Sequence, residues 1–370
     1  MGDSWQSVDL FGEKNISLIW TDSEGKLFIA GCSGEANSPD GVTRGHTLYC
    51  STDGLKSFVP LTAPDPVKYE NSSYYGFVPQ RITSDSRYIY ITFASSGEVF
   101  YGGMGAYACD TGSLSGGKVY RYRIENGVPV FNKDITPEDH IPCGYSGICS
   151  NGKMLLLSTV CRKNGGDIIY TSTDSGESWK IIMNRLEYCR FDWNIPYMKP
   201  RYNGGGNCVH WISDIKLSPF DSDTALFNTG TGLFMITGLA SGDVLVKPFC
   251  EGIEETVHLN VYTTPHGRNR IIDIIGDLGG FAFEDYDSEC ENSFANENGD
   301  RYITCLNADL TLSDPEYIVS TPRGNWTGKT KGGLILSKDC GSTWERLPMP
   351  RGLSEFIDKK LDNIEKPNVD

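Results

Sequence analysis

"STDSGESW", Ser172–Trp179, returns near the far end of the chain as "SKDCGSTW", Ser337–Trp344. Both satisfy S-x-D-x-G-x-[ST]-W, the Asp-box. A third segment, "STDGLKSF" at Ser51–Phe58, keeps Ser51, Asp53 and an aromatic but has its glycine one place early, so it reads as a degenerate copy. The pattern has the chemistry of a hairpin corner. The carboxylate accepts hydrogen bonds from amides of its own turn, glycine supplies a positive φ, and the aromatic packs beneath the loop. Asp174 and Asp339 are therefore read as structural.

Each full copy follows a β-rich run, "GDIIYTSTD" (Gly166–Asp174) or "GGLILSKD" (Gly332–Asp339), and further strands are expected in "YIYITFAS" (Tyr88–Ser95) and "KMLLLSTV" (Lys153–Val160). Short strands, turn signals and a repeated hairpin motif predict an all-β fold, a β-propeller of the seven-bladed type with four-stranded antiparallel blades. At roughly 40 to 50 residues per blade, the chain has room for about seven or eight. A β-sandwich, the alternative, leaves the repetition unexplained.

Composition agrees. The 370 residues include 42 glycines, 19 tyrosines and 16 phenylalanines, a bias towards strands and tight turns. A formal charge of −15 argues against a nucleic-acid partner, whose phosphates demand basic surface, and against an anionic substrate; a neutral one fits better. No run approaches the ~18 apolar residues of a membrane-spanning helix, and "MGDSWQSVDLFGEKN" has no signal-peptide pattern. The 12 cysteines contain no CxxC, so buried thiols or a few disulfides are the alternatives. His46, His140, His210, His258 and His266 show no HxxxH spacing, and nothing points to a metal or a cofactor. No Gly-x-Ser-x-Gly elbow supports a serine hydrolase.

Later motifs are more specific. "HWISDIKLSPFDSDTALFNTGTGLFMITGL" (His210–Leu239) and "GIEETVHLNVYTTPHGRNRIIDIIGDLGGFAFED" (Gly252–Asp285), in that order and spacing, resemble the xyloglucanases of glycoside hydrolase family 74. That resemblance implies paired seven-bladed propellers with an open cleft for a xyloglucan backbone, and inverting hydrolysis by two aspartates, one from each propeller. On it, residues 1–245 match later blades of the first propeller and 246–370 the start of the second, with closure as a single propeller the alternative. It also implies secretion; sequons at Asn15, Asn71 and Asn325 add little.

Asp277 matches the second propeller's aspartate, the general acid. The glycines around it are expected to let the backbone turn sharply and present the carboxyl group; a turn-bracing carboxylate is the alternative. An inverting glycosidase needs a second carboxyl group about 6.5–9.5 Å away. The family's first aspartate lies in an Arg-Thr-Asp-x-Gly-Gly segment that this chain lacks; "WTDSEGKL" (Trp20–Leu27) is the nearest wording. The base is thus open among Asp214, Asp273, Glu254, Glu255, Asp285 and Asp287. Glu254 and Glu255 are read as loop braces near the cleft, or as substrate contacts, and Asp214, Asp221 and Asp223 as turn caps around Pro219.

Trp193 and Tyr202, in the Gly- and Pro-rich stretch Phe191–Trp211, are expected sugar platforms, because aromatic faces stack on pyranose C–H surfaces. Trp211 is read as a blade-core residue, with substrate contact the alternative. "YGGMGAYACDTGSLSGG" (Tyr101–Gly117) is a further loop that lines the cleft or moves freely.

The leading function is hydrolysis of xyloglucan or a related β-1,4-glucan, and a non-catalytic carbohydrate-binding or interaction propeller derived from such an enzyme is the alternative. A sialidase lacks its arginine triad. A propeller that stops before closing exposes sheet edges, so such a chain is expected to associate with another.

Overall fold

The computed structural model describes residues 16–32, 47–61, 78–95, 116–138, 143–162, 166–184, 187–195, 198, 209, 211–253, 256–289, 293–324 and 330–348. These residues form strands and turns without an α-helix. They divide into two compact units, one within residues 1–194 and 207–250, the other within 195–206 and 251–370.

The first unit holds four sheets. Strands β1 (Ile16–Thr21), β2 (Phe28–Cys32), β3 (Leu48–Ser51) and β4 (Val59–Pro60) make the first, in chain order. Strands β5 (Val78–Ser84), β6 (Tyr88–Ser95), β7 (Gly116–Glu125) and β8 (Val128–Asp134) make the second. Strands β9 (Gly144–Ser150), β10 (Leu155–Val160), β11 (Ile169–Ser172) and β12 (Lys180–Met183) make the third. The fourth departs from four-stranded regularity. Strand β13 (Arg190–Phe191) joins β17 (Leu245–Pro248) in parallel, outside the antiparallel run β14 (Asp214–Leu217), β15 (Ala225–Thr229) and β16 (Gly232–Thr237).

The second unit holds a three-stranded sheet, β18 (His258–Thr263), β19 (Ile271–Ile275) and β20 (Gly279–Phe283). It also holds a four-stranded one, β21 (Cys305–Leu310), β22 (Ile318–Pro322), β23 (Ile335–Ser337) and β24 (Glu345–Arg346). Within the first unit β1 lies beside β5, β5 beside β9, and β9 beside β14. First strands meeting first strands is the blade arrangement of a propeller, and the fold is all-β of that type.

The sheets bury both faces, and the alternation of side chains shows how. On β6, Ile89, Ile91 and Phe93 enter a core with Leu18, Ile29 and Leu48 of the first sheet. Tyr90, between them, points the other way and packs with Tyr145, Ile148 and Leu157 of the third. The period of two thus feeds two inter-sheet cores from one strand. Each such fully buried side chain contributes about 1.5–3 kcal/mol. In the second unit Ile272 and Ile274 pack with Cys305, Ile318, Ile335 and Trp344.

All three Asp-boxes sit at the same place, between third and fourth strands of a sheet. Asp174 Oδ1 accepts from Ser172 Oγ at 2.8 Å and the Ser178 amide at 2.9 Å, and Gly176 N–H reaches Ser172 Oγ. Asp339 repeats this with Ser337, Thr343 and Gly341. The copy read as degenerate keeps the geometry: Asp53 accepts from Ser51 Oγ at 2.9 Å and from the Ser57 amide at 3.0 Å. These bonds hold the carboxyls of Asp53 and Asp174 down to about 2, the hydrogen bonds from Ser57 and Ser178 being the leading causes.

The described cysteines are free thiols, most of them buried. Burial pushes Cys149 and Cys305 up to about 12, which suits packing and not nucleophilic attack.

Candidate functional site

Asp277 occupies the turn between β19 and β20. The turn exists because both strands are anchored: Ile272 and Ile274 enter the main core, while Ile275, Leu278 and Phe281 form a second apolar cluster. Gly276 N–H donates to Val257 O at 2.8 Å, Asp277 N–H to Thr304 Oγ1 at 2.9 Å, and Gly279 N–H to Ile303 O at 3.0 Å. The glycines have a packing reason. A methyl group on Gly279 would run into the Tyr302 carbonyl, and one on Gly280 would lie 2.6 Å from Phe294 Cε2.

The backbone strain falls elsewhere than the sequence suggests. Asp277 itself takes the left-handed conformation, at φ 61°, followed by Gly279 at 88°. Asx residues tolerate that region better than most. Its carboxylate is exposed and makes no hydrogen bond or ion pair with any described residue, unlike the Asp-box carboxylates, which bond back to their own turns. What braces the turn is the Asp277 amide.

Beside this turn runs a chain of polar contacts absent from the sequence reading. Thr256 Oγ1 lies 2.6 Å from His258 Nε2, and His258 Nδ1 lies 2.9 Å from Asp273 Oδ1. Asp273 is buried on the middle strand of the sheet, while the imidazole is half exposed. A register shift between His258 and Asn260 re-aims the histidine across to Asp273, whose direct strand partner is Val261. Sequence spacing alone gives no hint of the bulge.

Comparison with known proteins finds relatives by sequence and by fold. No family model matches the chain. A xyloglucanase of Paenibacillus sp is 23% identical over 54% of this chain and 21% of its own length. The oligoxyloglucan-reducing end-specific xyloglucanase of Emericella nidulans is 23% identical over 93% of this chain and 47% of its own length. The crystal structure of the GH74 xyloglucanase from Xanthomonas campestris superposes with a TM-score of 0.70 at 20% identity, covering 91% of this chain and 44% of that one. The Niastella koreensis GH74 enzyme gives 0.67 at 19%, with the same coverage.

The chain is similar to the family 74 xyloglucanases.

It spans less than half the length of the curated relatives it matches.

Only some of the other expected site residues fall among the described ones. Tyr202, Glu254 and Glu255 lie outside the described residues, as does most of the Tyr101–Gly117 loop. In the first unit, Trp193 is half-buried, stacked on Phe191 at 4.9 Å and edge-on to Phe234 at 6.4 Å. One ring face is therefore already covered. Trp211 is not a blade-core residue: it is 43% exposed at φ 59°, with its ring over Gly230, where any side chain would collide with Cε3.

Among the carboxylates considered as base, Asp214 lies on β14 between Lys216 Nζ at 2.6 Å and Arg81 Nε at 3.4 Å, so it is a strand ion-pair residue and not the turn cap expected. Asp285 accepts the amides of Asp287 and Ser288. Asp221 and Asp223 do cap turns, the latter accepting the amides of Gly238 and Ala240.

A further carboxylate escaped the sequence reading. Asp167 is fully buried, accepts from Thr159 Oγ1, Arg162 N and Ile212 N, and burial raises its carboxyl to about 6. Its neighbours in sequence read simply as a strand, so no local signal marked it.

Proposed function

We propose that this chain is a glycoside hydrolase acting on xyloglucan or a related β-1,4-glucan, by an inverting acid/base mechanism in which Asp277 protonates the departing oxygen. One observation carries the reading: an exposed carboxylate, bonded to nothing described, stands on a left-handed turn anchored by three hydrogen bonds from backbone amides, two to carbonyls and one to the Thr304 hydroxyl. Strain concentrated at a polar residue on a rigid support is typical of functional positions. The similarity to proteins named as xyloglucanases supplies the substrate class, and the acidic chain suits a neutral polymer.

In this reading Trp211 offers its exposed ring to a sugar face, with Trp193 and Tyr202 as further aromatic contacts. Glu254 and Glu255, outside the described residues, keep their reading as loop braces or substrate contacts. The protein works outside the cell, where such polymers are found.

The test is reducing-sugar release from xyloglucan by this chain and by Asp277→Asn. The parent is expected to release oligosaccharides, and the variant to lose about 10²–10⁴-fold in rate while still binding the polymer. A folded chain that binds xyloglucan and releases nothing overturns the enzyme reading in favour of a non-catalytic carbohydrate-binding propeller.

A further inference from the structure

The second unit contains a cavity of about 590 Å³, lined by the segment 293–301, by β23 and β24, and by the Asp-box loop that joins those strands. Its size falls within the range of about 300–1,000 Å³ in which proteins hold small molecules. We propose that this cavity binds a carboxylate-bearing sugar, a uronate, and that Arg301 receives the carboxylate.

Arg301 is the observation that carries this. Its side chain lines the cavity, its Nη1 is enclosed without a hydrogen-bond partner, and no carboxylate among the described residues pairs with it. An arginine ordinarily runs its head group out to water or meets an acid. Here burial disfavours the cation, drawing its titration below the usual guanidinium range. The residue is nevertheless fixed in place. Arg301 forms a bridge with Ala295, and the next amide, of Tyr302, donates to Phe294 O at 3.0 Å. Lys338, also on the cavity wall, already meets Glu345 at 2.6 Å. Arg301 is therefore left for an incoming anion, and its planar fork matches the two oxygens of a carboxylate.

The walls are preformed and select the kind of anion. Asn296 Oδ1 accepts the amides of Asn298 at 3.0 Å and Asp300 at 2.9 Å, which closes the loop carrying Glu297. Trp344 donates Nε1–H to Gly341 O at 3.1 Å and packs on Phe294 at 4.3 Å, and Thr343 Oγ1 is held by Asp339 at 2.6 Å. Glu297 is exposed and in no ion pair with a described residue, so its carboxylate is open to sugar hydroxyls. Ser293 and Ser342 add hydroxyls to the same cavity. Glu297 and Glu345 repel a multiply charged anion such as phosphate, and the chain's charge of −15 does so from farther away. A single carboxylate on a molecule rich in hydroxyls satisfies Arg301 and Glu297 together.

Titration calorimetry of the full chain with glucuronate, glucose, acetate and inorganic phosphate tests the assignment. Glucuronate is expected to bind, and each of the others to bind about 10-fold or more weakly. Arg301→Gln is expected to lose about 10–100-fold in affinity for glucuronate while keeping or raising the parental Tm, because it removes a buried charge that has no partner. Should that variant melt early, Glu297→Ala, at an exposed loop position, carries the test, with an expected loss of about 10-fold at parental Tm. Failure of the folded parent to bind glucuronate, equal binding of acetate, glucose or phosphate, or unchanged affinity in the folded variants overturns the site. Hydrolysis of xyloglucan is decided separately, since Asp277 takes no part in this binding.

Discussion

Leu55 stands where the other two Asp-boxes have Gly176 and Gly341, and it is held at φ 68°. A β-carbon in the left-handed region costs about 1–2 kcal/mol, part of which a glycine returns as chain entropy in the unfolded state. Leu55→Gly is therefore expected to stabilise the protein by about 0.5–1 kcal/mol, seen as a raised Tm. A lowered Tm would mean that the half-buried Leu55 side chain contributes more than its backbone strain costs. The contrast with Asp277 is instructive. Both residues sit in the left-handed region, but Asp53 and its serines bond back to the loop that holds Leu55, whereas the Asp277 carboxylate bonds to nothing described. Strain explained by a structural motif is one thing, and strain that leaves a free carboxylate is another.

At the scale of elements, the hairpin β19–β20 positions Asp277 through contacts far along the chain. Thr304 and Ile303 receive its amides, and Phe294 and Tyr302 press on its glycines. Gly279→Ala is expected to cost about 3 kcal/mol or more, since it combines a collision with the Tyr302 carbonyl and a disallowed φ of 88°. Activity should fall further than the loss of folded protein explains, because the turn itself must move. A variant with parental Tm and activity would show that the hairpin has slack. The second sheet makes a related point about neighbours: Arg121, on β7, donates to Ser175 O and Glu177 in the Asp-box of the third sheet. That places a buried cation between blades, where Glu177, the sixth residue of this copy of the motif, meets it.

Over the whole molecule, two sets of carboxylates pull stability in opposite directions with pH. The Asp-box carboxyls of Asp53 and Asp174 are held down to about 2, so the stability they contribute is present above about pH 4 and disappears as pH falls towards 2; the carboxyl of Asp339 is lowered in the same direction. Asp167 is the reverse case. Burial raises its carboxyl to about 6, so the folded protein holds a proton there that the unfolded chain has lost, and stability declines as pH rises from about 4 to about 6. Asp167→Asn removes that decline. The stability difference between parent and variant is expected to change by about 3 kcal/mol across that window, measured by chemical denaturation at pH 4 and pH 7. A constant difference would place the Asp167 titration in its ordinary range.

The propeller class was legible because its signals are local. An Asp-box closes its own hydrogen bonds within seven residues, and alternating apolar runs such as Tyr88–Ser95 bury both faces wherever sheets stack. Asp277 drew attention as a carboxylate in a matched motif, and the structure sets it on an exposed turn at φ 61°. What local sequence could not supply was everything that depends on register and distant partners. The bulge that turns His258 towards Asp273, the exposure of Trp211, the burial of Asp167 and the Arg81–Asp214 pair all join residues on different strands. A one-residue shift in pairing reverses which side chains meet, and only the packed sheets decide it.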